Sequence, residues 1–226
     1  MKSRAICFIQ LSVVAVWIAS IGIASAQTEL IKFDNFSPGI PGAQIPNSYA
    51  GLQWSNFYVL NALTENSVYG DDGYVNGMVS SPNVAYNSFG TNASISISSG
   101  SFNLNSAYLA GAWNDGLQVQ AEGFVGNTLT YNNTYTVNSL GPTLINFDYL
   151  GVDEVMFISF GGTPHGYPSN GSGTHFVMDN LSVTLVPEPS VPSLGAVAGI
   201  VLALRFVVPR WSQRRRNGGH VSSLIA

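Results

Sequence analysis

Outside its two ends this chain has almost no positive charge and no thiol. Of its eight lysines and arginines, seven lie in the terminal segments: Lys2, Arg4, Arg205, Arg210, Arg214, Arg215 and Arg216. Residues 27–185 keep only Lys32 against eleven carboxylates, a formal charge of −10. A body with one cation cannot neutralise a row of phosphates, which excludes nucleic acid as a partner. Anionic lipid does not attract it and acidic polymers are repelled. Neutral sugars and divalent cations stay compatible with it. The single cysteine, Cys7, lies in the N-terminal apolar stretch, so the body has neither a disulfide nor a thiolate metal site.

Catalytic signatures are also missing. His165 and His175 sit across a glycine-rich loop with no H-E-x-x-H spacing between them, which leaves zinc chemistry without support. No G-x-S-x-G marks a nucleophilic serine. Asp148, Asp153 and Glu154 are the carboxylates a glycosidase would draw on. Asp153 and Glu154 are neighbours, however, and neighbours on a strand point to opposite faces. The body is therefore expected to be non-catalytic. A secreted glycan-active hydrolase is the rival reading, and a purely architectural surface protein without a ligand is the third.

What is present begins at the termini. Lys2 and Arg4, the apolar run from Ile6 to Ile23 and the small-residue site Ala24-Ser25-Ala26 predict a signal peptide over residues 1–26, cut by signal peptidase before Gln27. At the other end, residues 186–193 form a proline-rich linker holding Pro187, Glu188 and Pro189. Residues 191–208 form an apolar segment of eighteen residues, at the lower limit for crossing a ~30 Å hydrocarbon core. Its one charge, Arg205, lies near the end, where it can snorkel. The basic tail, residues 209–226, carries Arg214-Arg215-Arg216 and favours the cytoplasmic side, leaving the body across the membrane.

That order of tripeptide, apolar segment and arginine cluster resembles the PEP-CTERM sorting signal of Gram-negative, matrix-producing bacteria. The resemblance implies recognition of Pro187, Glu188 and Pro189 by an exosortase and removal of the tail. Delivery would follow, to the cell surface, outer membrane or extracellular polysaccharide matrix. On that reading membrane anchorage through the C-terminal segment is transient; an anchor that is never cleaved is the alternative.

Residues 27–185 lack a sustained apolar pattern at i, i+3, i+4. Short runs of β-branched and aromatic residues alternate instead with turn residues, which predicts an all-β sandwich or barrel. Strands are expected over 30–36, 52–60, 93–97, 104–113, 117–124, 152–160 and 176–185. A polar loop is expected around Asp71 and Asp72. Asn114-Asp115-Gly116 reads as a hairpin turn between 104–113 and 117–124, and Gly126-Asn127 as another turn. The 152–160 run, apolar on both faces, belongs in the centre of a sheet.

Ile31-Lys32-Phe33-Asp34-Asn35-Phe36 near the start and Val177-Met178-Asp179-Asn180-Leu181-Ser182-Val183 at the close resemble the first and last strands of antiparallel jelly-roll sandwiches, the carbohydrate-binding modules. The resemblance implies a structural calcium where those strands meet, with Asp34, Asp179, Asn35 and Asn180 as ligands. Calcium takes six to eight hard oxygens, so those residue types suit it. The competing reading is that both aspartates cap turns through the backbone. A sugar site needs an aromatic platform beside hydrogen-bonding side chains. Trp113, Asn114, Asp115 and Tyr74 are the candidates, with Tyr69 and Tyr167 behind them. The alternative for the aromatics is core or edge packing. The expected partner is a neutral polysaccharide.

Overall fold

The computed structural model describes residues 25–188. The signal peptide through Ala24, Pro189 of the sorting motif, the apolar segment 191–208 and the tail 209–226 lie outside the described residues. Among the described residues, no helix is long and apolar enough to cross a membrane.

Alternation of apolar and polar side chains builds two antiparallel sheets. The seven-stranded sheet runs β11 (Thr143–Val152), β7 (Ser101–Gly111), β14 (Phe176–Val186), β5 (Asn83–Asn87), β4 (Phe57–Asn61), β2 (Ala43–Gln44). β1 (Gln27–Ile31) joins it on β14, pairing Gln27 with Leu185 and Ile31 with Leu181. The five-stranded sheet runs β10 (Thr128–Val137), β9 (Leu117–Val125), β12 (Glu154–Phe160), β6 (Ala93–Ser96), β3 (Gln53–Ser55). A short ribbon pairs β8 (Asn114–Asp115) with β13 (Thr163–Pro164).

The inward faces of the two sheets share one core. In β9, Leu117, Val119 and Ala121 are buried while Gln118, Gln120 and Glu122 are half-buried on the outer side, as their period of two requires. Phe57 lies at the centre of an aromatic stack between the sheets. Its ring meets Trp54 at 5.4 Å and 88°, Phe157 at 5.9 Å and 80°, and Phe176 at 5.9 Å and 81°. Each such edge-to-face pair adds ~0.5–1.5 kcal/mol beyond the area it buries.

The expected pairing of first and last strands is present, and β12 lies in the middle of its sheet. Three expectations are corrected. The chain contains helix: α1 (Ala62–Tyr69) and the single turn α2 (Gly73–Asn76) flank the polar loop at Asp71 and Asp72, where no helix was expected. Only Ala62 and Glu65 of α1 are buried, so no apolar stripe announces it. Its start is set by Asn61, whose Oδ1 accepts from the Thr64 amide at 2.9 Å.

The first strand stops at Ile31, because Phe33 takes a positive φ of 63° that no strand continues. The Asn114-Asp115-Gly116 hairpin does not form. β7 lies between β11 and β14, and β9 between β10 and β12, so this segment carries the chain from one sheet to the other. Long-range pairing with Thr163 and Pro164 displaces the local turn. Gly126-Asn127, with φ of 54° and 65°, does join β9 to β10 as a tight hairpin.

Candidate ligand-binding pocket

β4 and β5 have two apolar faces. Phe57 and Val59 point into the main core. Tyr58 and Leu60 point the other way, as does Tyr86, the register partner of Tyr58. There α1, α2 and Trp113 cover a second apolar cluster that includes Leu60, Tyr74, Tyr86, Ala110 and Val177. α2 docks through Gly73, whose amide donates to the Ala112 carbonyl at 3.0 Å. The approach is so close that a Cβ at Gly73 would overlap the Gly111 carbonyl oxygen.

This cluster leaves a cavity of about 440 Å³, within the ~300–1,000 Å³ usual for small-molecule sites. Its walls are rings set at steep angles. Tyr58 and Tyr86 lie 6.0 Å apart at 51°, Tyr86 and Tyr74 5.4 Å apart at 74°, Tyr74 and Trp113 5.3 Å apart at 90°. Tyr69 of α1 and Phe89 also line it. Phe89 is 85% exposed at a φ of 56°, an unusual placement for a large apolar side chain. The Tyr86 hydroxyl donates to the Pro41 carbonyl at 3.0 Å, and burial pushes it up to about 12. Burial raises the Tyr74 hydroxyl as well.

Three side chains on this lining keep a buried polar atom with no partner in the protein: Glu65 Oε2, Ser169 Oγ and His175 Nδ1. Each such orphan costs ~1–3 kcal/mol. Burial, with the charge of Asp72 behind it, pushes the Glu65 carboxyl up to about 8. Asp72 is fully buried. Its Oδ1 accepts from the Tyr74 amide at 2.8 Å and caps α2, while its Oδ2 has no donor within the protein. Burial raises this carboxyl too. The two carboxyls face each other, and a proton on Glu65 would pair it with Asp72. Burial lowers His175 and keeps it neutral.

The structure divides the predicted sugar-site residues. Trp113, Tyr74 and Tyr69 line the cavity. Asn114 and Asp115 lie outside its lining and serve the β8–β13 ribbon. Asn114 Nδ2 donates to the Gly161 carbonyl at 2.9 Å. Asp115 Oδ1 accepts from the Ser139 amide and hydroxyl, and its Oδ2 meets His165 Nδ1 at 2.7 Å. The His165 contact, aided by Ser139, holds the Asp115 carboxyl down at about 2. Tyr167 donates to the Ser139 carbonyl at 2.9 Å. Asp72, read as a solvated loop residue, is instead the buried partner of Glu65. The sequence reading also missed Tyr58, Tyr86, Glu65 and Ser169.

Two of the four residues proposed for calcium, Asp179 and Asp34, are tied to the segment 79–83. Asp179 is fully buried. Its Oδ2 accepts from the amides of Val79 and Ser80, both at 2.7 Å. Its Oδ1 accepts from the Ser80 hydroxyl at 3.1 Å and the Asn180 amide at 2.7 Å. These donors point their positive ends at the carboxylate, where a cation would have to sit. Asp34 Oδ1 accepts from the Asn83 amide at 3.2 Å, and Asn35 Oδ1 from the Tyr49 hydroxyl at 2.8 Å. Asn180 Oδ1 is buried without a protein partner. Among the described residues, no group of three or more His, Cys, Asp or Glu is placed to hold a metal. The three carboxylates considered for hydrolysis are dispersed: Asp148 is exposed on β11, Asp153 Oδ2 accepts from the Gly126 amide, and Glu154 is half-buried on β12.

No family model matches the chain, and no curated protein matches it. Among solved structures it is similar to TmCBM61, a carbohydrate-binding module solved in complex with β-1,4-galactotriose. The identity is 9%, the match covers 63% of this chain and 95% of that one, and the TM-score is 0.31.

Proposed function

We propose that this chain is an exported, surface- or matrix-sorted sandwich of jelly-roll type, and that it binds a sugar residue of an extracellular polysaccharide without altering it. The observation that carries the binding reading is the aromatic cavity itself, whose lining also includes the polar residues Glu65, Ser169 and His175. A pyranose has an apolar face that suits Trp113 and the tyrosines, and hydroxyls that suit polar side chains on the same lining. The non-catalytic reading is supported by the carboxyl pair itself. A glycosidase sets its two carboxyls ~5–9.5 Å apart, on either side of the scissile bond. Glu65 and Asp72, facing each other, leave no room for one. Export by signal peptidase and sorting by an exosortase through Pro187, Glu188 and Pro189 rest on the sequence pattern alone. A structural calcium would draw on Asn180 Oδ1 rather than on Asp179.

Affinity electrophoresis through gels containing neutral polysaccharides tests the binding. We expect saturable retardation with no reducing sugar released. Trp113→Ala should weaken it about tenfold, the upper range of one aromatic contact (~1.5 kcal/mol). Turnover would establish the hydrolase instead, and absence of retardation on every gel would leave the architectural reading.

A further inference from the structure

Tyr86, Tyr74 and Trp113 spend their rings on one another, and the apolar surface left open on the cavity lies at its mouth. Ile40, Tyr69 and Phe89 line it from three separate segments, and they are 39%, 50% and 85% exposed. The fold makes almost no use of the Phe89 ring. It nevertheless holds the Phe89 backbone at a φ of 56°, a conformation that disfavours a large side chain.

The turn that carries this ring is tied down by residues far apart in the chain. Ser88–Gly90 lies between β5 and β6 and so passes from one sheet to the other. The Ser88 amide donates to the Asn56 carbonyl at 3.0 Å. The Asn56 side-chain amide reaches the Ser88 carbonyl at 3.1 Å, Thr91 Oγ1 at 2.8 Å and the Asn92 carbonyl at 3.0 Å. Asn87 Nδ2 donates to the Thr91 carbonyl at 2.9 Å, and Thr174 Oγ1 to the Gly90 carbonyl at 3.0 Å. These bonds fix a strained turn whose one large side chain stands in solvent. Such strain persists where its surroundings over-determine it, and it collects at ligand-contacting positions. A ring fixed beforehand also loses little freedom when a ligand settles on it.

We infer that Phe89 is the ring on which a second, consecutive sugar residue stacks at the mouth of the cavity, so that the site reads two linked sugars rather than one. The inference rests on the sugar-binding reading above and sharpens it. A pyranose inside the cavity meets the inner lining. Its linked neighbour leaves past the rim, where Phe89 offers an apolar face to the apolar face of the sugar.

The test is calorimetry with glucose, galactose and the β-1,4-linked dimer and trimer of each. We expect the better-bound series to gain about tenfold in affinity from monomer to dimer. Phe89→Gly, which suits the positive φ, should cut that gain to about twofold or less while the urea midpoint holds or rises. Phe89→Trp keeps a ring and should keep the gain. Absence of a gain in the wild type overturns the assignment and leaves the sugar reading standing. So does a full gain in Phe89→Gly, and so does a lower urea midpoint for that variant, which would make the ring a structural one. If no sugar of either series binds, the sugar reading falls and takes this inference with it.

Discussion

Glu65 shows how one side chain couples the cavity to pH. Its carboxyl titrates at about 8 in the fold against an ordinary 4.5. Between those values the folded protein holds a proton that the unfolded chain has lost. Stability from this group is therefore complete below about 4.5 and declines as pH rises towards 8. Asp72, also raised by burial, acts in the same direction. We expect the urea midpoint of the wild type to fall more between pH 5 and pH 8 than that of Glu65→Gln, which lacks the Glu65 carboxyl. Equal losses in the two proteins would remove the Glu65 proton from the account. Asp115 has the opposite sign: held down at about 2 against an ordinary 3.8, its contribution is full above about 3.8 and declines as pH falls towards 2. Of the cavity residues, Trp113 and Tyr74 were legible in the sequence, being aromatics beside turn-forming residues. Glu65 was not, because only the docking of α1 on the sheet turns an exposed-looking helix residue into a buried acid.

At the scale of elements, α2 is a single turn that owes its place to one close contact. Gly73 lies against the Gly111 carbonyl with no room for a Cβ, and its amide is spent on Ala112. We expect Gly73→Ala to lift α2 away, carrying Tyr74 out of the second apolar cluster and Asp72 away from Glu65. The loss should be ~2–3 kcal/mol of stability, the range for overpacking against backbone that cannot yield. Ligand binding should disappear with it, read by denaturation and by gel retardation. An unchanged midpoint would show that α2 is not held by this contact.

The elements also explain where sequence reading succeeds. Strict alternation made β9 legible, and the double-sided apolar run made β12 legible as a central strand. The Asn114-Asp115-Gly116 signal misled because it is local, whereas the partners of that segment, Thr163 and Pro164, lie about fifty residues away. α1 escaped notice because a helix covering a small patch needs no apolar stripe, only the cap from Asn61.

For the whole molecule, one exported preparation answers two questions. Intact mass should start at Gln27 and lack the arginine cluster; a chain still carrying Arg214–Arg216 would remove the sorting reading. The same sample, melted with and without chelator, decides the calcium proposal. A lower melting temperature establishes the ion, and an unchanged one leaves Asp179 as the anchor of the turn at 79–80.

The pairing of β1 with β14 has a mechanical consequence. His175, on the cavity, immediately precedes β14, and the chain leaves the body just after Val186 at its far end. His175 and Val186 are thus separated by the length of an eleven-residue strand, roughly 35 Å. Tension between them runs lengthwise along a strand gripped on one side by β7 and on the other by β5 and β1. Rows of backbone bonds then bear the load in shear, together, rather than opening one at a time like a zip.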